Sequence, residues 1–395
     1  MSGGNFGSVP SSLTLDNWQS AEHLHWAFQH IGDFLPVATV FRGGGPVAEL
    51  DVSTASASAA VAELLFYDVI HGRQTTVGGV MAVTDTDGWI VVHNGTVLLE
   101  QYYGGMTAST PHLLMSVTKT LVAAVLAALE LDVNRQVADF VPALAESGYA
   151  GATVRNLLDM RSGIKFSEDY LDPLAEVRLL EQAIGWAPRT VADVPSTMYD
   201  YLVTLRADAE HGGPFRYRSC ETDVLGWVCE AAAKQKMPEL MSRLVWANLG
   251  AAHDATITVD SAGAGLFDGG ASACLSDLAR FGSLFINDGA SLNGTQVIPP
   301  SWIADTLAGA ADSREAFSAG RNNTRMPGGM YRNQMWFPYR GNDIALCLGI
   351  HGQMIYVNRA VNMVAAKLSS WPQPEDDTKL FSTLAAFNAI ANSLA

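Results

Sequence analysis

The sequence predicts a mixed α/β (α+β) chain, in which an antiparallel sheet built from both ends is flanked by helices and interrupted by an inserted all-α domain. Three observations predict it. Residues 79–103 are rich in β-branched and aromatic side chains and contain Asn94-Gly95 between two apolar runs, a strong hairpin signal. Residues 117 to about 250 carry helical patterns broken by Pro142, Gly148, Gly163, Pro173, Pro188, Pro195 and Gly212-Gly213-Pro214. From Asp343 to Ser369 the β texture returns as three runs joined by Gly352-Gln353 and Asn358-Arg359, links so short that only antiparallel neighbours can use them. The expected division is a sheet-containing domain of residues 1–115 and 251–395 and a mainly helical domain of residues 116–250, with the site in the cleft between them.

In chain order, a loop-rich arm leads to an Ala-rich helix expected from about Ser58 to Tyr67. Met81-Ala82-Val83, Trp89 to His93 and Thr96 to Glu100 are expected as strands. A long apolar run from Thr120 to Leu129, rich in Ala and Leu, exceeds strand length and predicts a buried helix. Glu221 to Ala233 predicts another, with Ser219 as its N-cap and Glu221 and Asp223 in the first turn. Helices are expected at Asp277 to Phe285 and Pro300 to Leu307, strands at Ile344 to Ile350, Met354 to Val357 and Val361 to Leu368, and a closing amphipathic helix at Thr378 to Leu394.

Composition narrows the function. Lys and Arg number 24 against 40 Asp and Glu, a net charge of −16 with no basic cluster, so nucleic acid and anionic membranes are poor partners. Met1 to Gly7 has no positive region followed by an apolar run, and no later segment reaches membrane-spanning length, so a cytoplasmic protein is expected. Cys220, Cys229, Cys274 and Cys347 lack CxxC spacing and sit among apolar residues, which favours reduced core thiols. No HExxH, P-loop, GxGxxG or GxSxG occurs, so neither a metal nor a nucleotide cofactor is expected and an α/β-hydrolase elbow is unsupported.

The chemistry gathers at Ser116-Val117-Thr118-Lys119, at the start of the buried helix. Residues three apart on a helix share a face, so the Ser116 hydroxyl and Lys119 amine should touch. Lys119 is the sole charge between Leu113 and Leu129. An ammonium in an apolar wall at a helix N-terminus should lose proton affinity and serve as a base for a serine nucleophile. A second Ser-x-x-Lys, Ser162-Gly163-Ile164-Lys165, lacks a helix and sits beside Glu168 and Asp169, which argues for a structural role. Tyr217, between Arg216 and Arg218, is expected in a positive field with a depressed phenol pKa, suited to move a proton.

Ser116-Val117-Thr118-Lys119 followed by Tyr217-Arg218-Ser219, in an order of β, inserted α, then β, resembles the serine β-lactamase and penicillin-binding superfamily in its class C-like branch. More narrowly the chain is similar to family VIII carboxylesterases and 6-aminohexanoate-dimer (nylon oligomer) hydrolases, through stretches such as Glu168-Asp169-Tyr170-Leu171-Asp172-Pro173, Ile350-His351-Gly352-Gln353 and Lys367-Leu368-Ser369-Ser370-Trp371-Pro372. The resemblance implies Ser116 as nucleophile, Lys119 as its base, Tyr217 as proton shuttle, and backbone N–H groups of Ser116 and Ile350 as the oxyanion hole. The third motif of the family falls on Cys347-Leu348-Gly349, where Cys347 replaces the usual cation and disfavours carboxylate-bearing β-lactams. Tyr170, Glu181, Asp268, Gly349 and His351 are implied as substrate contacts. Glu181 matches a carboxylate that holds an ammonium, and Asp268 stands where an asparagine is expected. The expectation is a cofactor-free serine hydrolase of small, short-acyl esters, with hydrolysis of 6-aminohexanoate dimers or related linear amides as the alternative and a non-catalytic ligand sensor as a third. A homodimer is compatible with it.

Overall fold

The computed structural model describes residues 9–320 and 324–395. The opening stretch Met1 to Gly7 lies outside the described residues. Fourteen strands are defined among them. The first seven are β1 (Val37–Val40), β2 (Asp51–Val52), β3 (Leu65–Asp68), β4 (Arg73–Thr76), β5 (Thr86–His93), β6 (Thr96–Tyr102) and β7 (His112–Leu113). After the helical stretch come β8 (Ala255–Thr258), β9 (Ala271–Ala273), β10 (Met330–Arg332), β11 (Met335–Phe337), β12 (Ile344–Gly349), β13 (Gln353–Asn358) and β14 (Met363–Ser369).

The main sheet has the order β10-β11-β12-β13-β14-β5-β6-β2, antiparallel throughout except for the parallel pair β2–β6 at its edge. Val364 faces Val92 across the β14–β5 pair, so the two ends of the chain meet in the middle of the sheet. The β5–β6 turn falls on Asn94 and Gly95, whose φ values of 50° and 78° are what a two-residue hairpin requires. Alternation along β5 sends Trp89 and Val91 to one face and Ile90 and Val92 to the other. The first face is covered by the C-terminal helix Asp377–Leu394, through Leu380, Leu384, Phe387 and Ile390. The second packs on helix Leu275–Ser283 and belongs to the core that holds the buried helix Thr118–Ala128.

Two expectations are corrected. Met81 to Val83 is helical, within Val77–Val83, because Thr76 caps the turn by accepting from the Gly79 N–H and Val77, Val80 and Met81 form a stripe against the sheet. The Ala-rich helix spans Ala55–Ala62, capped by Thr54, and ends before Leu65 to Asp68, which pair with β4 as a hairpin. A four-stranded sheet, β1-β8-β9-β7, was not expected; its strands are short and distant in sequence. Among the described residues of the middle segment, β pairing is confined to the isolated bridges Gln136–Thr153 and Ile164–Ala207. All four cysteines are free and buried. Among the described residues no helix is long and apolar enough to cross a membrane.

Candidate active site

Strand β7 delivers the chain to Ser116. It pairs with β9, and the Leu114 N–H extends that pairing to the Ala271 carbonyl at 2.8 Å. Met115 then turns with a left-handed φ of 46°, and a 3-10 turn over Met115–Val117 runs directly into helix Thr118–Ala128. A non-glycine residue in that region is strained and persists only where its surroundings enforce it. Across from it, Gly349 ends β12; a Cβ there would lie 2.6 Å from the Leu114 oxygen, 3.0 Å from the Gln353 Cβ and 3.1 Å from the Met115 Cβ. Only glycine lets the strand approach the Ser116 turn.

Lys119 is 1% exposed. Its amine donates to Ser116 Oγ at 2.8 Å, to Ser219 Oγ at 3.1 Å and to the Asp268 carbonyl at 2.7 Å, with an Asp268 carboxylate oxygen at 3.8 Å. The three donors of an ammonium are all engaged. The expectation that Lys119 falls toward neutrality is therefore corrected. Burial does disfavour its charge, but the Tyr217 oxygen and the Asp268 and Glu168 carboxylates outweigh burial and hold the ammonium above its usual range.

The Tyr217 hydroxyl interacts with Ser116 and Lys119, and its ring lies 5.1 Å from the Lys119 amine. The ring stacks on Trp336 at 5.4 Å. Its phenol pKa is raised, not depressed as expected: loss of hydration dominates over the pull of Lys119. The flanking arginines do not supply the expected field, because Arg216 faces Asp208 at 3.6 Å and Arg218 is buried against Glu221 at 3.3 Å. Ser219 occupies the cap position of helix Cys220–Ala233 without capping it; its hydroxyl is engaged by Lys119 and Glu168 instead.

These groups open into a cavity of about 670 Å³ whose wall includes Ser116, Glu168, Tyr170, Tyr217, Trp336, Leu348, Gly349, Ile350 and Trp371. A narrow side pocket of about 30 Å³ shares Ser116, Tyr170 and Ile350 and continues to Glu181, Trp186, Leu266 and Asp268. Tyr170 donates to Glu168 at 2.6 Å. Asp268 is fixed by Asp223, which accepts from the Phe267 and Asp268 N–H groups at 3.0 and 3.1 Å. Glu181 is at the pocket but is neither free nor solvated: Arg178, three residues earlier on helix Glu176–Ile184, donates to both its oxygens at 2.9 and 2.7 Å, and Gln19 adds a third bond.

His351 is not brought to the cavity. With φ at 60° its ring is buried edge-on to Phe28, Nδ1 meets the Trp371 carbonyl at 2.6 Å, and burial pushes its pKa down to about 4, so it is neutral. Its neighbours Ile350 and Gly352 form the wall in its place. Cys347 also faces inward, interacting with Thr120, and burial pushes its thiol up to about 12. The second Ser-x-x-Lys is apart: Ser162 is buried and donates to Glu221, while Lys165 is exposed. Sequence reasoning missed Glu168, Ser219 and Arg178 as members of the site. The Arg178–Glu181 spacing was the one signal available locally.

Among the described residues one group could gather donors for a metal, His253, Cys274 and Asp277. Asp277 already accepts from the Ala252 and His253 N–H groups and from Arg280, so it works as a clamp on that loop.

A family model described as Beta-lactamase matches residues 73–388. A 6-aminohexanoate-dimer hydrolase of Paenarthrobacter ureafaciens is 37% identical over 93% of this chain and 91% of its own. A Bacillus anthracis structure described as a 6-aminohexanoate-dimer hydrolase superposes with a TM-score of 0.87 at 24% identity, covering 98% of this chain and 99% of that one. A family VIII carboxylesterase superposes with a TM-score of 0.55 at 14% identity, over 79% and 96% of the two chains.

Proposed function

The chain belongs to the Beta-lactamase family and is a hydrolase of that superfamily, and from this premise we propose that it cleaves short-acyl carboxylic esters through an acyl-enzyme on Ser116. The observation that carries the reading is the 2.8 Å contact between Ser116 Oγ and the Lys119 amine at the wall of the cavity. Ser116 attacks the ester carbonyl, and the backbone N–H groups of Ser116 and Ile350 receive the developing oxyanion. Tyr217 keeps its proton at neutral pH, as its raised pKa requires, and gives it to the leaving oxygen. Lys119 rests as an ammonium and becomes the base for Ser116 once it has given up one proton. Water then releases the acyl group, and no cofactor enters.

Two features support a short, uncharged acyl group. The side pocket beyond Ser116 is narrow, so bulk belongs in the larger cavity. The carboxylate expected to grip a free ammonium, Glu181, is instead paired internally with Arg178. That pairing also neutralises Glu181 toward anionic acyl groups, while a carboxylate oxygen of Asp268 lies 3.8 Å from the Lys119 amine. A second reading, hydrolysis of linear amides, is favoured by the 37% identical relative, which is named for the 6-aminohexanoate dimer.

The test compares p-nitrophenyl acetate with the linear 6-aminohexanoate dimer. Ester turnover should exceed amide turnover in kcat/KM; the reverse order would transfer the assignment to the amide. Ser116→Ala should lower either activity by at least about 1,000-fold, and a phosphonate ester should modify Ser116 and spare Ser162. Modification at Ser162 would reject the nucleophile proposed.

A further inference from the structure

Lys119 can accept the Ser116 proton only after losing one of its own, and its three donors lead to Ser116, Ser219 and the Asp268 carbonyl. Of these, the Ser219 hydroxyl alone continues to a further acceptor that can hold a proton. It accepts from Lys119 at 3.1 Å and lies 3.2 Å from Glu168 Oε2, to which it donates. The Ser219 backbone N–H donates to the other Glu168 oxygen, so residue and carboxylate are held together at two points. From the unbroken line of hydrogen bonds Lys119–Ser219–Glu168, we propose that Glu168 is a positioning residue for protons, the site that stores the Lys119 proton during turnover. The inference rests on the reading of Ser116 and Lys119 as nucleophile and base.

The transfer balances. A proton moves from Lys119 Nζ to Ser219 Oγ as the Ser219 hydroxyl proton moves to Glu168 Oε2. This leaves a neutral amine, an unchanged hydroxyl and a carboxylic acid. The neutral amine takes the Ser116 proton as the Ser116 oxygen bonds to the substrate carbonyl. When the leaving oxygen takes the Tyr217 proton, Lys119 restores it, and the amine is neutral again for the water step. Glu168 returns its proton after the acyl group has gone.

The surroundings favour such an exchange. Burial opposes the charge on Lys119 and on Glu168 alike, and what keeps the ammonium charged is the Tyr217 oxygen together with the carboxylates around it. Delivering the proton to one of those carboxylates removes both charges together. The groups that bear on Glu168 are Lys119 and Ser219, Tyr170 on its own loop, Asp268 from the facing loop, and Tyr217 and Cys220 beside the start of helix Cys220–Ala233. Asp268 disfavours a second negative charge beside it, so a protonated Glu168 is relieved of that repulsion as well. The Tyr170 hydroxyl, 2.6 Å away, keeps one bond to the acid in either state.

The experiment is the pH profile of kcat for the full-length enzyme on p-nitrophenyl acetate. In the wild type, activity should rise with pH as Glu168 ionises, since only the carboxylate can receive the proton. Glu168→Gln keeps the shape and the acceptor oxygen but cannot store a proton. It should lose about 100-fold in kcat with little change in KM, and its rising limb should move to alkaline pH, where Lys119 loses its proton to solvent. Glu168→Asp should recover part of kcat and the original limb. Ser219→Ala, which keeps the carboxylate but cuts the line, should reproduce the alkaline displacement. A wild-type limb in Glu168→Gln, or an unchanged kcat in Ser219→Ala, would overturn the proposal. Phosphonate modification separates the two levels of failure: wild-type protein unmodified at Ser116 rejects the hydrolase reading, whereas modified Ser116 with unmoved limbs rejects the proton store alone.

Discussion

Gly349 shows how one residue's lack of a side chain sets the geometry of the turn that carries Ser116. A methyl group there would press on the Leu114 carbonyl and the Met115 and Gln353 side chains, none of which can retreat, since Leu114 and Met115 are buried and carry the Ser116 turn. Gly349→Ala should push β12 away from that turn and carry the Ile350 N–H out of line with the Ser116 N–H. We expect kcat to fall about 10- to 100-fold, with an overpacking cost of about 1–3 kcal/mol in stability. Steady-state kinetics beside a thermal melt would check it, and a variant with wild-type kcat would mean that Ile350 does not serve the oxyanion. That Gly349 lies at the wall of the cavity shared with Ser116 was legible from its motif. The charge state of Lys119 was not: its local sequence is apolar, while the carboxylate that helps retain its proton belongs to Asp268, which is 149 positions away and comes near only in the folded chain. Tyr217 failed the same way in reverse, because two arginines adjacent in sequence turn to Asp208 and Glu221 in space.

At the scale of single elements, β14 carries a second buried lysine whose consequence is thermodynamic. The Lys367 amine donates to the Thr84 carbonyl at 3.1 Å and to Ser369, and sits 5.2 Å from the Trp371 ring. Burial, only partly offset by Asp87 and Asp85, pushes its pKa down to about 7. Unfolded, it would keep its proton to about 10.4. Between those values the unfolded chain binds the extra proton, so this group's contribution makes stability rise with pH from about 7 to about 10, by at most about 1.4 kcal/mol per pH unit. The Tm of the wild type should therefore climb relative to Lys367→Met across that window; parallel curves would contradict it. Elements were legible where local chemistry decides them, as with Asn94-Gly95 or the apolar run of the Lys119 helix. Met81 to Val83 misled because a three-residue apolar run has no period of its own, and the decision lay with the Thr76 cap and the sheet surface beneath. The small sheet was illegible for a related reason: β7 has two residues, and its partner β9 lies beyond the whole helical stretch.

At the scale of the molecule, the arrangement that builds the site is a sheet whose central pair joins residue 92 to residue 364. That pairing has a consequence during synthesis. The helical stretch follows β5 and β6 out of the ribosome and can begin to pack early, but β5 cannot acquire its β14 neighbour until nearly the whole chain has been made. At ordinary elongation rates the wait is roughly 15 to 50 s, during which Trp89, Ile90, Val91 and Val92 offer an apolar strand with one edge open. Nascent chains arrested before Met363 should be cleaved readily by protease within Thr86–Tyr102, and chains released past Ser369 should resist; early protection would show that the hairpin is sheltered by something other than β14. The candidate site is thus completed last, and the interval before the sheet closes is when a growing copy of this protein is most exposed to aggregation or capture by a chaperone.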